Sequence, residues 1–161
     1  MDTTPQCSPR SGPQGAEPLA GAIVEAMPVV VAHQLRTLGA PQRRHALRDD
    51  FTLGYLFGLL YGLSRQLPEA ARERFLLSVA APTFCVVYDG DGTAMLERSL
   101  GGLAALNPRM LGGSRAGAQD ARSWMSGGAR TMRLETEFSM PRRGDVAAPC
   151  APAAACAPAG R

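Results

Sequence analysis

The sequence FTLGYLFGLLYGLS, residues 51–64, contains no charged side chain and places Gly54, Gly58 and Gly62 four residues apart. Residues at this spacing lie on one face of an α-helix. Because each glycine inside a helix costs about 1 kcal/mol relative to alanine, three on one stripe indicate that another helix approaches closely there. The stripe therefore predicts helix packing within the chain or an interface with a second molecule.

The next segment of the chain offers the nearest partner for this stripe. Pro68 and Glu69 are suited to open a helix, which would run to about residue 81, where Pro82 would interrupt it. Four small residues of that helix could face the glycines: Ala70, Ala71, Ala80 and Ala81. We therefore expect a central helical hairpin, in which residues 51–67 pack on residues 69–81.

Proline and glycine divide the rest of the apolar region into further helix-sized segments. Pro18 and Pro28 can each open a helix, or Pro28 can kink one longer helix. Asp49 or Asp50 could cap the helix of the opening stretch. Residues 84–88 are apolar and partly β-branched, so they suit a strand or a helix. We favour a helix, because no partner strand is evident.

Two more helices are expected towards the end of this region. Residues 93–106 would form one, ending at Asn107 because a proline follows it. Ser114 could cap the other, which would stop near residues 127 and 128, two glycines. The glycine-rich residues 112–117 resemble an anion-binding turn only weakly. We interpret them as a flexible connection before the last helix.

The predicted fold is all-α: a small bundle of four to five short helices with disordered N- and C-terminal tails. Residues 18–128 hold nearly all the large apolar side chains and suffice for one domain. Residues 1–17 are rich in proline, glycine and small polar residues, and residues 129–161 are rich in alanine and proline. Both segments have too little apolar bulk to repay the entropy of ordering.

The charged residues restrict the chemistry. All 17 basic residues are arginine, and the net charge is only +3. Without lysine there can be no Walker-type phosphate loop, no Schiff base and no kinase-type ATP anchor. The bias towards alanine, glycine, proline and arginine is typical of a GC-rich bacterial genome, so the arginines are weak evidence for nucleic-acid binding, which we do not expect.

The cysteines do not form a metal-binding or disulfide pattern. Cys7, Cys150 and Cys156 lie in the expected tails, and no two cysteines have C-x-x-C spacing. Cys85 lies in an apolar run and is expected to be a buried, inert thiol. We predict no metal and no cofactor. No secretory signal is evident at the N-terminus, so the expected compartment is the reducing cytoplasm.

The most suggestive chemical motif is VVYDGDGT, residues 86–93. It resembles the first motif of haloacid-dehalogenase-like phosphatases, an apolar strand followed by D-x-D-G-T. That resemblance implies a parallel sheet, with Asp89 as nucleophile, Asp91 as acid/base and the pair helping to hold magnesium. Only about 70 residues follow the motif, and no second paired-acid motif is present. The alternative is a polar turn that caps the next helix at Asp91 or Thr93.

A compact basic cluster contains Arg43, Arg44 and Arg48. It could contact phosphates or an acidic partner. The acids that follow it, together with the low net charge, favour a solvated helix face instead.

These patterns favour a non-enzymatic role, as a protein–protein interaction or self-association module whose partner is this chain or another protein. A magnesium-dependent phosphatase using Asp89 and Asp91 is one alternative. A membrane-associated hairpin is another, because residues 51–64 and 75–88 are both uncharged. Each run is shorter than the ~20 residues needed to span a bilayer, so we do not expect membrane insertion.

Overall fold

The computed structural model describes residues 16–127 and 133–139, which form seven α-helices and no strand. The helices are α1 (Ala16–Gln34), α2 (Ala40–Leu47), α3 (Asp50–Ser64), α4 (Glu69–Tyr88), α5 (Gly92–Ala104), α6 (Pro108–Met125) and α7 (Arg133–Ser139). One 3₁₀ turn, Asp89–Asp91, joins α4 to α5. The all-α prediction is confirmed, whereas the disorder predicted for residues 1–17 and 129–161 falls mostly outside the described residues.

Helix α3 is the centre of the bundle. Its side chains Leu53, Tyr55, Leu56, Leu59 and Leu60 are completely buried. The side chain of Asp49 accepts a hydrogen bond from the amide of Phe51 at 2.8 Å and so caps the helix. Helices α1 and α4 pack on each other and extend the core through buried apolar side chains: Met27, Val31, Leu35, Phe75, Val79 and Phe84.

The glycine stripe of α3 packs on α6. The hairpin prediction, in which the stripe packs on residues 69–81, is therefore wrong. A methyl group on Gly54 or Gly58 would overlap the carbonyl oxygen of Met110 or of Ser114. In return, Gly113 lies against the backbone of Phe51. Successive α3 glycines meet successive residues of α6, so the two helices run parallel. The contact is reciprocal, because α6 presents its own small residues at four-residue spacing: Gly113, Gly117 and Ala121.

Two predicted helix boundaries are wrong because glycine and proline are tolerated inside helices here. Helix α6 begins at Pro108, where the side chain of Asn107 accepts hydrogen bonds from two backbone amides. Residues 112–117 are therefore helical and are not a flexible connection. Helix α4 continues through Pro82 to Tyr88, since Pro82 and Ser78 are both exposed and water can reach the carbonyl that proline leaves unbonded.

Helix α7 lies inside the segment predicted to be a disordered tail. Leu134 is completely buried, and the ring of Phe138 meets that of Phe51 edge to face at 6.4 Å. Arg109 holds the helix in place: its guanidinium donates to Asp49 at 2.5 Å and to Glu137 at 2.9 Å. Burial alone would lower the pKa of Arg109, but these hydrogen bonds outweigh burial and raise it.

Candidate functional site

Helix α4 is apolar on both sides over its second half. No charged residue occurs between Phe75 and Tyr88. The inward side is made of Phe75, Val79, Thr83 and Phe84, all buried. The outward side is also free of charge, and its residues are exposed to solvent.

We call this outward side the α4 outer face. It consists of Leu77, Ser78, Ala81, Pro82, Cys85 and Val86. Leu77 is 74% exposed and Val86 is 53% exposed. A helix that is apolar all round is normally buried all round, yet no described segment of the chain covers this side. Contiguous exposed apolar surface of this kind is typical of a binding surface.

Sequence reasoning treated the whole run 75–88 as core and so missed this face. Cys85 is the clearest case, because it was expected to be buried and is an exposed free thiol. It lies four and eight residues from Ala81 and Leu77, on the outward stripe. The run 75–88 has no charged side, and this pattern indicates more apolar surface than one neighbouring helix can bury. The exposed face could have been predicted from it.

Charged residues bound the α4 outer face at both ends. Glu73 and Arg74 are exposed one turn before Leu77, and Asp89 is exposed just after the helix ends. Asp91, one turn of 3₁₀ helix later, forms an ion pair with Arg48. The face is therefore an uncharged patch with an acidic and a basic side chain before it and an acidic turn after it.

The motif of Asp89 and Asp91 lies in a different setting from the one its resemblance implied. Residues Val86 and Val87 belong to helix α4, and the described residues contain no sheet for a phosphatase strand to join. Asp89 has a φ of 54°, a region that few residues other than glycine adopt. Among the residues that the structure describes, no group of three or more His, Cys, Asp or Glu side chains is placed to hold a metal ion.

Gly92 allows the turn between α4 and α5 to be tight. A methyl group at Gly92 would overlap the backbone of Cys85 and Phe84. The first residue of α5 therefore sits directly against the last turns of α4. This close approach supports the interpretation of the motif as a turn between two packed helices.

The three arginines of the basic cluster do not converge on one site. Arg43 donates to the carbonyl of Leu38 at 3.2 Å, Arg48 pairs with Asp91, and Arg44 is exposed. Arg43 also borders an apolar cavity of about 120 Å³ between α1, α2 and α4. Its Nε is buried without a hydrogen-bond partner among the described residues.

A network of hydrogen-bonded polar side chains lies inside the bundle and links four helices. Gln34 donates to the hydroxyl of Tyr55 at 2.7 Å, and that hydroxyl donates to Asp120 at 2.8 Å. Arg133 of α7 pairs with the same carboxylate at 3.1 Å. Burial raises the pKa of Tyr55 far above its ordinary value. Asp120 and Tyr55 are completely buried, so these groups stabilise the fold and are not accessible to a ligand.

The described helices include none that is long and apolar enough to cross a membrane. Comparisons with models of protein families, with curated proteins and with solved structures find no match to this chain. The geometry of the molecule itself is therefore the basis for any statement about function.

Proposed function

We propose that the chain is a protein-binding module that acts through the α4 outer face. The observation that carries this proposal is Leu77, a large apolar side chain that is 74% exposed on an uncharged helix surface. Burying a leucine side chain completely contributes about 1.5–3 kcal/mol. A partner that covers Leu77 and Val86 together would gain the central contacts of a small interface.

The shape of the face favours a helix as the bound element. Ser78, Ala81 and Cys85 are small, so the backbone of a partner helix can approach closely between Leu77 and Val86. No charged group has to lose its water within the patch, so the desolvation penalty of buried charges does not oppose the interface. The exposed thiol of Cys85 suits a reducing compartment such as the bacterial cytoplasm.

The proposal is tested with Leu77→Glu, which places a charge within the α4 outer face. The matched control is Leu100→Glu, because Leu100 is 47% exposed on α5, outside the patch. Both substitutions are at exposed helix positions and are expected to change the free energy of unfolding by less than about 0.5 kcal/mol. Thermal unfolding followed by circular dichroism checks that both variants fold.

Quantitative affinity capture from cells, with each bait at equal amount, is the measurement. We expect a protein that the wild-type chain and Leu100→Glu retain and that Leu77→Glu loses, with amide hydrogen exchange slowed in α4 of the purified complex. Equal capture by all three baits would overturn the proposal. Binding to lipid vesicles that Leu77→Glu abolishes would also overturn it, since the face would then serve a membrane surface.

A further inference from the structure

We propose that Asp89 and Gly90 form a site of spontaneous covalent modification, at which the aspartyl linkage of the backbone isomerises to an isoaspartyl linkage. In the first step the amide nitrogen of Gly90 attacks Cγ of Asp89 in its acid form. The new C–N bond closes a five-membered succinimide ring, and the carboxyl OH leaves as water together with the amide proton.

Water opens the ring in the second step. Attack at Cγ breaks the new C–N bond and restores aspartate. Attack at the main-chain carbonyl carbon breaks the original peptide bond instead, so the chain then runs through Cβ and Cγ and the linkage is isoaspartyl. The water released on closure is consumed on opening, so the reaction needs no oxidant, cofactor or other co-reactant.

The sequence offers two places for this reaction. Glycine after aspartate favours ring closure, because it has no Cβ atom to obstruct the approach of its nitrogen. The chain contains two such pairs, residues 89–90 and 91–92, which follow each other directly. Since the dipeptides are identical, only the geometry of the turn can make one react faster than the other.

The backbone of Asp89 already has the torsion that the ring requires. Asp89 has a φ of 54° and a ψ of −132°, a combination that residues with a Cβ atom rarely adopt. The Cβ atom and the amide nitrogen of a residue are offset by about 120° around the Cα–C bond, so this ψ leaves the Gly90 nitrogen within about 15° of eclipsing Cβ of Asp89. A nearly flat succinimide ring has the same eclipsed arrangement.

The fold therefore holds the reacting atoms close to the geometry of the product, as an intramolecular catalyst does. Rotation about the Cα–Cβ bond then brings Cγ to the nitrogen. The side chain of Asp89 is exposed, and among the described residues none bonds to its carboxylate. Gly90 is exposed as well, and a Cβ atom built on it would meet nothing within 4 Å beyond its chain neighbours, so the ring has room.

The second pair lacks each of these features. Asp91 has a ψ of 1°, which holds the Gly92 nitrogen about 120° away from its Cβ atom. The Asp91 carboxylate is paired with Arg48. The amide of Gly92 donates a hydrogen bond to the carbonyl of Asp89, and Gly92 is buried against the backbone of Cys85. We therefore expect Asp91 to be protected while the chain is folded.

Isomerisation at Asp89 would change the connection between α4 and α5. The isoaspartyl linkage adds one carbon atom to the main chain, directly after the end of α4 at Tyr88. This turn has little slack, because the start of α5 lies against the last turns of α4 at Gly92. The modified chain should therefore unfold at a lower temperature, and the α4 outer face would end on an altered acidic group.

The test compares the folded full chain with the same chain unfolded in guanidinium chloride, both incubated for several weeks at neutral pH. Trypsin then releases residues 75–98, which contain both pairs, and electron-transfer fragmentation in a mass spectrometer locates isoaspartate at each position. In the unfolded chain both positions should react at similar rates. In the folded chain Asp89 should react at least about tenfold faster than Asp91, because only Asp89 is held near the ring geometry.

Two alanine variants test the mechanism. Gly90→Ala places a methyl group beside the attacking nitrogen and should slow isomerisation at Asp89 severalfold, whereas Gly101→Ala is the matched control and should leave the rate unchanged. Thermal unfolding followed by circular dichroism checks that both variants fold. Equal rates at Asp89 and Asp91 in the folded chain, or isoaspartate at neither of them, would overturn the proposal. An unchanged rate in Gly90→Ala would overturn it too, since the Gly90 nitrogen would not be the nucleophile.

Discussion

Leu106 has a backbone conformation that is poorly suited to its side chain. It has a φ of 56° and is 69% exposed. The amide of Leu106 bonds to the carbonyl of Leu103, and the amide of Asn107 bonds to that of Gly102. This is the Schellman arrangement that ends a helix, and its left-handed position is usually glycine.

We therefore predict that Leu106→Gly raises the free energy of unfolding by about 0.5–1 kcal/mol, because glycine removes the left-handed strain while little buried area is lost. Urea unfolding measures the change. Leu106→Ala keeps the Cβ atom and its strain, so it serves as the control and should give no comparable gain. A stabilisation by alanine equal to that by glycine would show that the side chain, and not the backbone, is responsible.

Two buried tyrosines should make the free energy of unfolding depend on pH in alkaline solution. Burial raises the pKa of Tyr55 and of Tyr88 well above the ordinary value of about 10. The hydroxyl of Tyr88 also donates to the carbonyl of Leu47 at 2.8 Å. Below pH ~10 both rings are protonated in the folded and the unfolded chain, so neither contributes a pH dependence.

Above pH ~10 the unfolded chain releases two protons that the folded chain retains, so the free energy of unfolding falls. The slope should approach about 2.7 kcal/mol per pH unit, which is two protons at about 1.36 kcal/mol each. Urea unfolding between pH 8 and pH 11 measures it. Tyr55→Phe should roughly halve the slope, and an unchanged slope would exclude Tyr55 as a cause.

At the scale of helices, the contact between α3 and α6 depends on glycine. Gly58→Ala would drive a methyl group into the carbonyl of Ser114 and should lower the free energy of unfolding by about 1–3 kcal/mol, as overpacking does. Gly101→Ala in α5 is the control, since apart from the backbone of its own helix no described atom lies close to the added carbon. It should raise the free energy of unfolding by about 0.5–1 kcal/mol. Equal effects of the two substitutions would contradict a tight α3–α6 contact.

Helix α4 contributes one apolar side to the core and exposes a second uncharged side to solvent. Val79 and Thr83 are completely buried, whereas Leu77 and Cys85, two positions before and two positions after them, are exposed. A shift of two residues turns a helix side chain to the other side of the axis. Because both sides of α4 are apolar, the fold buries one and leaves the other exposed to solvent.

At the scale of the whole molecule, polar side chains hold the outer helices on the central pair. Gln34, Tyr55 and Asp120 join α1, α3 and α6, and Arg109 and Arg133 fasten α7 to them. Gln34, Tyr55 and Asp120 are buried and hydrogen-bonded to one another, so they give the arrangement specificity at little cost. The α4 outer face lies away from them, on the side where described residues leave apolar surface exposed.

The amino-acid sequence by itself determined the helical class, a cap at Asp49 or Asp50, and the need for a close partner at Gly54, Gly58 and Gly62. These features follow from local rules: the 3.6-residue period, the hydrogen bonds that a helix start lacks, and the cost of glycine in a helix. They can be deduced from neighbours within a few turns, which is why the fold class could be predicted from the sequence alone.

Only the tertiary structure decided which surfaces meet. Helix α6 and not α4 took the glycine stripe, α7 docked through Leu134, and Cys85 remained exposed. The spacing of Gly113 and Gly117 was visible beforehand, but several helices offered small or apolar faces at suitable distances along the chain. The choice among them depends on packing and hydrogen bonding summed over the whole bundle, and no local pattern contains that sum.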